Sequence, residues 1–163
     1  MWQVFGLVFF GDSQRLVDKE HKTFRQSDIQ ALLEERGIAI YDTASAVRRL
    51  SGNASDKDLE IIEKTDIPAL LSKIPHCHDI VCTGQKSFSV LTDDYGVPVP
   101  QMGTYNEFYL SSPPKLGGVP RRGEGVCKKL RLWRMPSSSR AYPMPLAEKA
   151  EYYRRMMLEI GII

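Results

Sequence analysis

The sequence predicts an α/β fold, with a small, mostly parallel central sheet and helices on both faces in a three-layer α/β/α arrangement. Three observations carry this. Two successive stretches read as helix then strand, a further helix follows them, and the chain closes on strand, polar loop and helix, the order that builds parallel sheets. The 163 residues are 42% hydrophobic and 26% charged, which is ordinary for one globular domain with its own core. That composition excludes a disordered chain and a disulfide-dense mini-protein. No internal repeat and no low-complexity linker divides the chain, so residues 1–163 are read as a single domain.

The elements follow in order. Trp2, Val4 or Phe5, Val8 and Phe9 fit a short amphipathic helix about as well as a strand, with Gly6 and Gly11 leaving both open. Ser27-Asp28-Ile29-Gln30 has the form of a capping box, Ala31 to Leu33 continue that helix, and Gly37 stands where a C-terminal cap is wanted. Ile38-Ala39-Ile40-Tyr41 then reads as a buried strand ending at Asp42-Thr43. Asp42 serves there as a polar anchor at the strand end, or as the cap of a helical segment from Thr43 to Leu50. Asp66 and Pro68 open the next helix through Leu70, Leu71 and Ile74. Asp79-Ile80-Val81-Cys82 is a strand ending at Thr83-Gly84, and a helix from Gln85 to Leu91 stops before Gly96.

Residues 97–127 carry five prolines, which break any long element. Within them Tyr105 to Leu110 reads as a strand, one arm of a hairpin with Lys129 to Arg134. In the second arm Leu130, Leu132 and Arg134 alternate with Lys129, Arg131 and Trp133, the pattern of a half-exposed strand. A compact loop from Met135 to Pro145 feeds a last helix, Leu146 to Ile160, ended by Gly161, with Tyr153, Met156, Met157 and Ile160 at core-facing spacing.

Charge is unevenly spread. Residues 1–114 hold 11 basic and 16 acidic side chains, whereas residues 115–163 hold 11 basic and 4 acidic, so a net of only +2 conceals a basic C-terminal third. A basic face on a near-neutral domain is the footprint of phosphate binding. The three cysteines, Cys77, Cys82 and Cys127, form no C-x-x-C pair; free thiols and a reducing, cytoplasmic setting are expected. No apolar run is long enough to cross a bilayer. His76-Cys77-His78 is too tight to surround one ion, so no metal site is expected. G-x-S-x-G, G-x-x-x-x-G-K and G-x-G-x-x-G are all absent, against common hydrolase, nucleotide-triphosphatase and dinucleotide-binding classes.

In open α/β sheets ligands gather at the carboxyl ends of the strands. Here those ends are Asp42-Thr43, Thr83-Gly84 and Pro136-Ser137-Ser138-Ser139. Three hydroxyls beside Arg140, just ahead of a helix, offer donors to a phosphate; the same serines also suit a surface turn that satisfies its own backbone. Arg121, Arg122, Lys128, Lys129, Arg131 and Arg134 would either extend a charged track beside that loop or solvate a hairpin. Gly84 either admits a planar ligand read by Thr83 or simply makes the strand-to-helix turn.

These segments resemble the uracil-DNA glycosylase superfamily, in particular its mismatch-specific and hypoxanthine-removing branches. Gly37 to Thr43 is similar to the family's "rGialwDv" strand, and Asn53 to Asp58 falls where its "GSlDs" element lies. Asp66 to Leu71 resembles its "nDi..ll" helix and Ile80 to Gly84 its "i.fnG" strand. Most specific is Met135 to Ala141, which looks like the "lPStSpA" loop these enzymes press into DNA, with Glu148-Lys149 on the helix that follows. The resemblance implies a DNA-repair glycosylase that hydrolyses the N-glycosidic bond of a deaminated base, uracil or hypoxanthine, flipped out of DNA, without metal or organic cofactor. It implies a base pocket of Asp42, Thr43, Thr83 and Gly84, with Thr83 where the family often has Asn. It also implies DNA contacts from Pro136, Ser137, Ser138, Ser139, Arg140 and Ala141, Ser137 and Ser138 gripping phosphates and Arg140 with Ala141 filling the gap in the duplex. DNA containing a deaminated base is the implied partner, no membrane is involved, and the chain is expected to act as a monomer.

The family's first motif, which supplies a water-positioning Asn or Asp, has no counterpart, and Met1-Trp2 resembles the "FW" that follows it. The core-like start, without the polar lead-in usual at a chain end, fits the same expectation: a catalytic Asn or Asp upstream of Met1, in an enzyme of which this chain is a part. The alternatives are a catalytically incompetent DNA-binding module of the same fold, and a small α/β protein that binds a phosphorylated metabolite.

Overall fold

The opening apolar run folds as a helix. In the computed structural model, which describes residues 1–50, 59–111 and 127–163, α1 spans Trp2–Phe10 and ends on Gly11 in the left-handed conformation. Its choice of helix over strand follows from its partner: Val4, Phe5 and Val8 are buried in one cluster with Tyr153, Met156 and Met157 of the last helix. Gly6 is required there, because a Cβ at that position would lie 2.5 Å from the Asp12 carbonyl oxygen.

A minimal hairpin of β1 (Val17–Asp18) and β2 (Thr23–Phe24) leads into α2 (Gln26–Arg36), which ends on Gly37 as expected. Its start corrects the capping-box expectation. Arg25 is the N-cap, without a side-chain cap bond, and Ser27 lies inside the helix, whose first turn is already closed by the Ile29 N–H donating to the Arg25 carbonyl.

Residues 38–50 depart furthest from expectation. Ile38 to Tyr41 form no strand, and Ile40 and Tyr41 stand in solvent. An apolar run becomes a buried strand only beside an open ladder, and no described strand pairs with this one. Thr43 to Leu50 is not helical either: Ala44–Arg49 is β3, antiparallel to β4 (Leu59–Lys64), with a register irregularity between Ala44 and Val47. The pairing that overrides helix formation is non-local, with Arg48 opposite Glu60 and their side chains 3.4 Å apart.

From residue 66 the expected order holds. Asp66 caps α3 (Ile67–Lys73), its carboxylate accepting from the Ala69 N–H at 2.9 Å. Strand β5 (Asp79–Thr83) follows, then α4 (Gln85–Tyr95), which runs one turn past the expected Leu91 before Gly96 ends it. Next come β6 (Tyr105–Ser111), β7 (Cys127–Met135) and α5 (Leu146–Glu159).

The main sheet has the order β5-β7-β6, with β5 parallel and β6 antiparallel to β7. It is therefore mixed rather than mostly parallel, because the partner arm β6 takes the second edge of β7. Alternate side chains of β7 divide two hydrophobic clusters: Leu130 and Leu132 join Leu71, Phe88, Leu91 and Phe108, while Trp133 and Met135 join the α1 and α5 cluster. The expected half-exposed face is thus covered at Trp133, which is 1% exposed. No described helix is long and apolar enough to cross a membrane.

Candidate functional site

Strands β5 and β7 run side by side and end together, Thr83 pairing with Met135. The chain therefore delivers Gly84 and Ser137 to the same rim. Gly84 has φ 141° and ψ 164°, a conformation essentially reserved for glycine. A Cβ built on it would sit 3.8 Å from the Ser137 Cβ and Oγ, so the two residues face each other with one methyl's room between them. Gly84 is also the N-cap of α4, its carbonyl accepting from Phe88 N–H and from the Ser87 hydroxyl. Thr83 is half-buried beside it.

The loop after β7 is held from α5. Pro136 is buried, and its carbonyl accepts from the Tyr153 hydroxyl at 2.9 Å. Burial pushes the Tyr153 phenol above its ordinary pKa, so it remains a donor. Lys149, only 3% exposed, donates through Nζ to the Ser139 carbonyl at 2.6 Å and lies 5.4 Å from the centre of the Tyr142 ring. Within the loop the Ser139 N–H donates to Ser137 Oγ at 3.3 Å, and the Ala141 N–H donates to Ser139 Oγ at 3.2 Å. Each of these hydroxyls therefore uses a lone pair on the backbone and keeps its proton to give elsewhere. Ser138 and Arg140 make no side-chain hydrogen bond among the described residues, and Arg140 and Ala141 are exposed.

The structure thus brings together Thr83, Gly84, Pro136 and Ser137, with Ser138, Ser139, Arg140 and Ala141 continuing the same loop. It does not bring Asp42 and Thr43 to that rim by the expected route. Both precede β3 and support the second hairpin, where the Asp42 carbonyl accepts from the Thr65 hydroxyl at 2.8 Å and the Thr43 carbonyl from the Thr65 N–H at 3.1 Å. A strand ending at Asp42 was their only reason to belong to the sheet, and that strand is absent among the described residues.

Of the two readings of the basic cluster, the described members fit the hairpin better, each being engaged by a neighbour within the fold. Lys128 donates to the Pro75 carbonyl, Lys129 pairs with Glu107 at 2.8 Å, and Arg134 donates to the Pro100 carbonyl and Gln85. Arg131 sits across from Asp79 at the opposite end of β5 from Gly84, its guanidinium bound to that carboxylate at 2.6 and 2.8 Å. Arg121 and Arg122, like Asn53 to Asp58, lie outside the described residues.

Two residues that the sequence reasoning did not assign to the site, Lys149 and Tyr153, are what fix the loop. The signal was present: they stand at i and i+4 on the face of α5 that also carries Ala150, Met156 and Met157, and a lysine on an apolar stripe is out of place. Among the described residues no group of three His, Cys, Asp or Glu is arranged to hold a metal ion. An apolar groove of about 490 Å³ between α2, residues 37–40 and Ile74 contains none of the predicted site residues. Comparison with protein-family models, with curated proteins and with solved structures finds no match to this chain.

Proposed function

We propose that the chain is a DNA-repair glycosylase of the uracil-DNA glycosylase type, binding DNA at the β5/β7 rim and acting on an extrahelical deaminated base, uracil or hypoxanthine. The observation that carries the reading is the juxtaposition of Gly84 with Ser137, 3.8 Å from a Cβ built on the glycine, at the shared end of a parallel strand pair. A flipped base needs a wall without a side chain and a phosphate grip within one nucleotide's reach, and these two residues offer both. In this reading the fold is the three-layer α/β/α type, Thr83 reads a base edge, the Ser137 and Ser138 hydroxyls donate to backbone phosphates, and Arg140 with Ala141 enters the space the base vacates. The chain would act as a monomer in the cytoplasm, with DNA as partner.

Hydrolysis has an oxocarbenium-like transition state and needs a group that orients water. The family supplies it from a first motif that residues 1–163 do not resemble, which favours a second reading: a module of the same fold that binds DNA without excising the base. One experiment separates the two. Duplexes carrying a single uracil or inosine are incubated with the 163-residue chain, treated with alkali and resolved by length, while binding to the same duplexes is followed across a salt series. Strand scission at the modified position supports the glycosylase; salt-dependent binding without scission supports the module. Absence of salt-dependent duplex binding refutes both.

A further inference from the structure

Lys149 is placed against its own interest. A lysine that is 3% exposed has lost most of its hydration, and none of the described residues forms an ion pair with it. It also lies in the opening turn of α5, four residues after the Pro145 cap, where the helix dipole favours anions and opposes cations. Its partners are one carbonyl, that of Ser139, and the face of Tyr142. Neither carries a full negative charge.

A bound anion would supply the counter-charge that a buried cation in this position lacks. Above it the loop has used the lone pairs of Ser137 and Ser139 on backbone N–H groups and presents hydroxyl protons, the complement of an anion's oxygens. We propose that the Lys149 ammonium is the charged floor of a phosphate seat built by Ser137, Ser138 and Ser139, and that it positions the loop for one backbone phosphate of DNA. This rests on the DNA-binding reading above, which assigns the serines to phosphates but gives the chain no buried charge beneath them. Lys149 is a positioning residue: it acts through the Ser139 carbonyl and through its field, not as a group that touches the reacting bond.

The test separates charge from hydrogen bonding. Lys149→Gln keeps an N–H donor for Ser139 without the charge, and Lys149→Arg keeps the charge. Binding of a fluorescent duplex is measured against salt for wild type and both variants, and thermal melting is followed as inorganic phosphate is added. Each phosphate neutralised contributes about 0.9 to the slope of log K against log salt, so Lys149→Gln should lose about 0.9 in slope and about eightfold in affinity near 0.1 M salt. Lys149→Arg should keep the slope, and phosphate should raise the melting temperature of wild type but not of Lys149→Gln. If wild type binds the duplex and Lys149→Gln matches its slope and affinity, the seat is refuted while the DNA reading stands. If wild type ignores the duplex but phosphate stabilises it in a Lys149-dependent way, the DNA reading falls and the seat survives as a site for a small phosphorylated ligand. If neither probe has an effect, both fail. Should Lys149→Gln not fold, the ¹⁵N resonance of Lys149 Nζ in wild type, assigned by its loss in Lys149→Arg, decides: a shift on adding phosphate or duplex supports the seat, and no shift refutes it.

Discussion

Replacing Asp79 with alanine should unfasten the strand pair that carries the rim. The Asp79 carboxylate accepts from Arg131 Nε at 2.6 Å, from a second guanidinium nitrogen at 2.8 Å and from the Trp133 indole Nε1 at 2.7 Å. All three bonds come from residues of β7, so one side chain ties the start of β5 to its neighbour. The magnitude divides by burial. Arg131 is 27% exposed and regains water when its partner is lost, so that part costs about 1 kcal/mol. Trp133 is buried, and stranding its N–H costs about 1–3 kcal/mol. Asp79→Ala should therefore lose about 2–4 kcal/mol, and Asp79→Asn, which retains an oxygen for the indole, about 1–2 kcal/mol. For a chain of this length each kcal/mol lowers the melting temperature by about 2–4 °C. Urea denaturation followed by circular dichroism gives the free energies, and a double-mutant cycle with Arg131→Met isolates the ion pair. A loss below about 0.5 kcal/mol for Asp79→Ala, or Asp79→Asn proving the worse of the two, would refute the reasoning, since the stranded indole is its largest component.

Further expectations concern the rim and its supports. Gly84→Ala meets no clash, its Cβ lying 3.8 Å from Ser137, yet it forces alanine into a conformation only glycine adopts freely; a loss of about 1–3 kcal/mol in chemical denaturation is expected. Tyr153→Phe leaves the buried Pro136 carbonyl without its donor and should lose about 1–2 kcal/mol in urea denaturation; under the proposed DNA-binding function it should also weaken duplex binding, because the loop is released. Burial pushes the Cys82 thiol up to about 12, so mass spectrometry after maleimide treatment at pH 8 should find Cys82 unmodified in the folded chain and modified in urea. Because the folded value lies above the unfolded one, near 9, the neutral thiol's contribution to stability is complete below pH 9 and is lost as pH rises toward 12.

What the sequence disclosed was local. Asp66 before Pro68, the strand from Asp79, and Gly96 and Gly161 after their helices are signals whose causes lie within a few residues, and the structure has them where they were expected. Residues 38–50 were illegible for the opposite reason. Ile38 to Tyr41 resemble a buried strand in every local respect, but burial needs a neighbouring ladder that composition cannot supply; Thr43 to Leu50 pair with Leu59 to Lys64, a partner no window of ten residues contains. The site divides along the same line. Gly84 and Ser137 follow from two strands ending together, whereas Asp42 and Thr43 depended on a strand that did not form. The basic cluster stayed open between two readings because charge counts ignore partners: Lys129 and Arg131 pair with Glu107 and Asp79 on neighbouring strands.

The grip of α5 on the loop has a corollary for design. Tyr153 and Lys149 hold Pro136 and Ser139 by their carbonyl oxygens, which every amino acid possesses. The helix thus holds the loop's backbone at two points, while Ser138 and Arg140 make no side-chain hydrogen bond among the described residues. The backbone of the loop is therefore held by contacts that do not depend on the side chains at those two positions, so substitution there should disturb the fold least, and they are where redesign of this rim can begin.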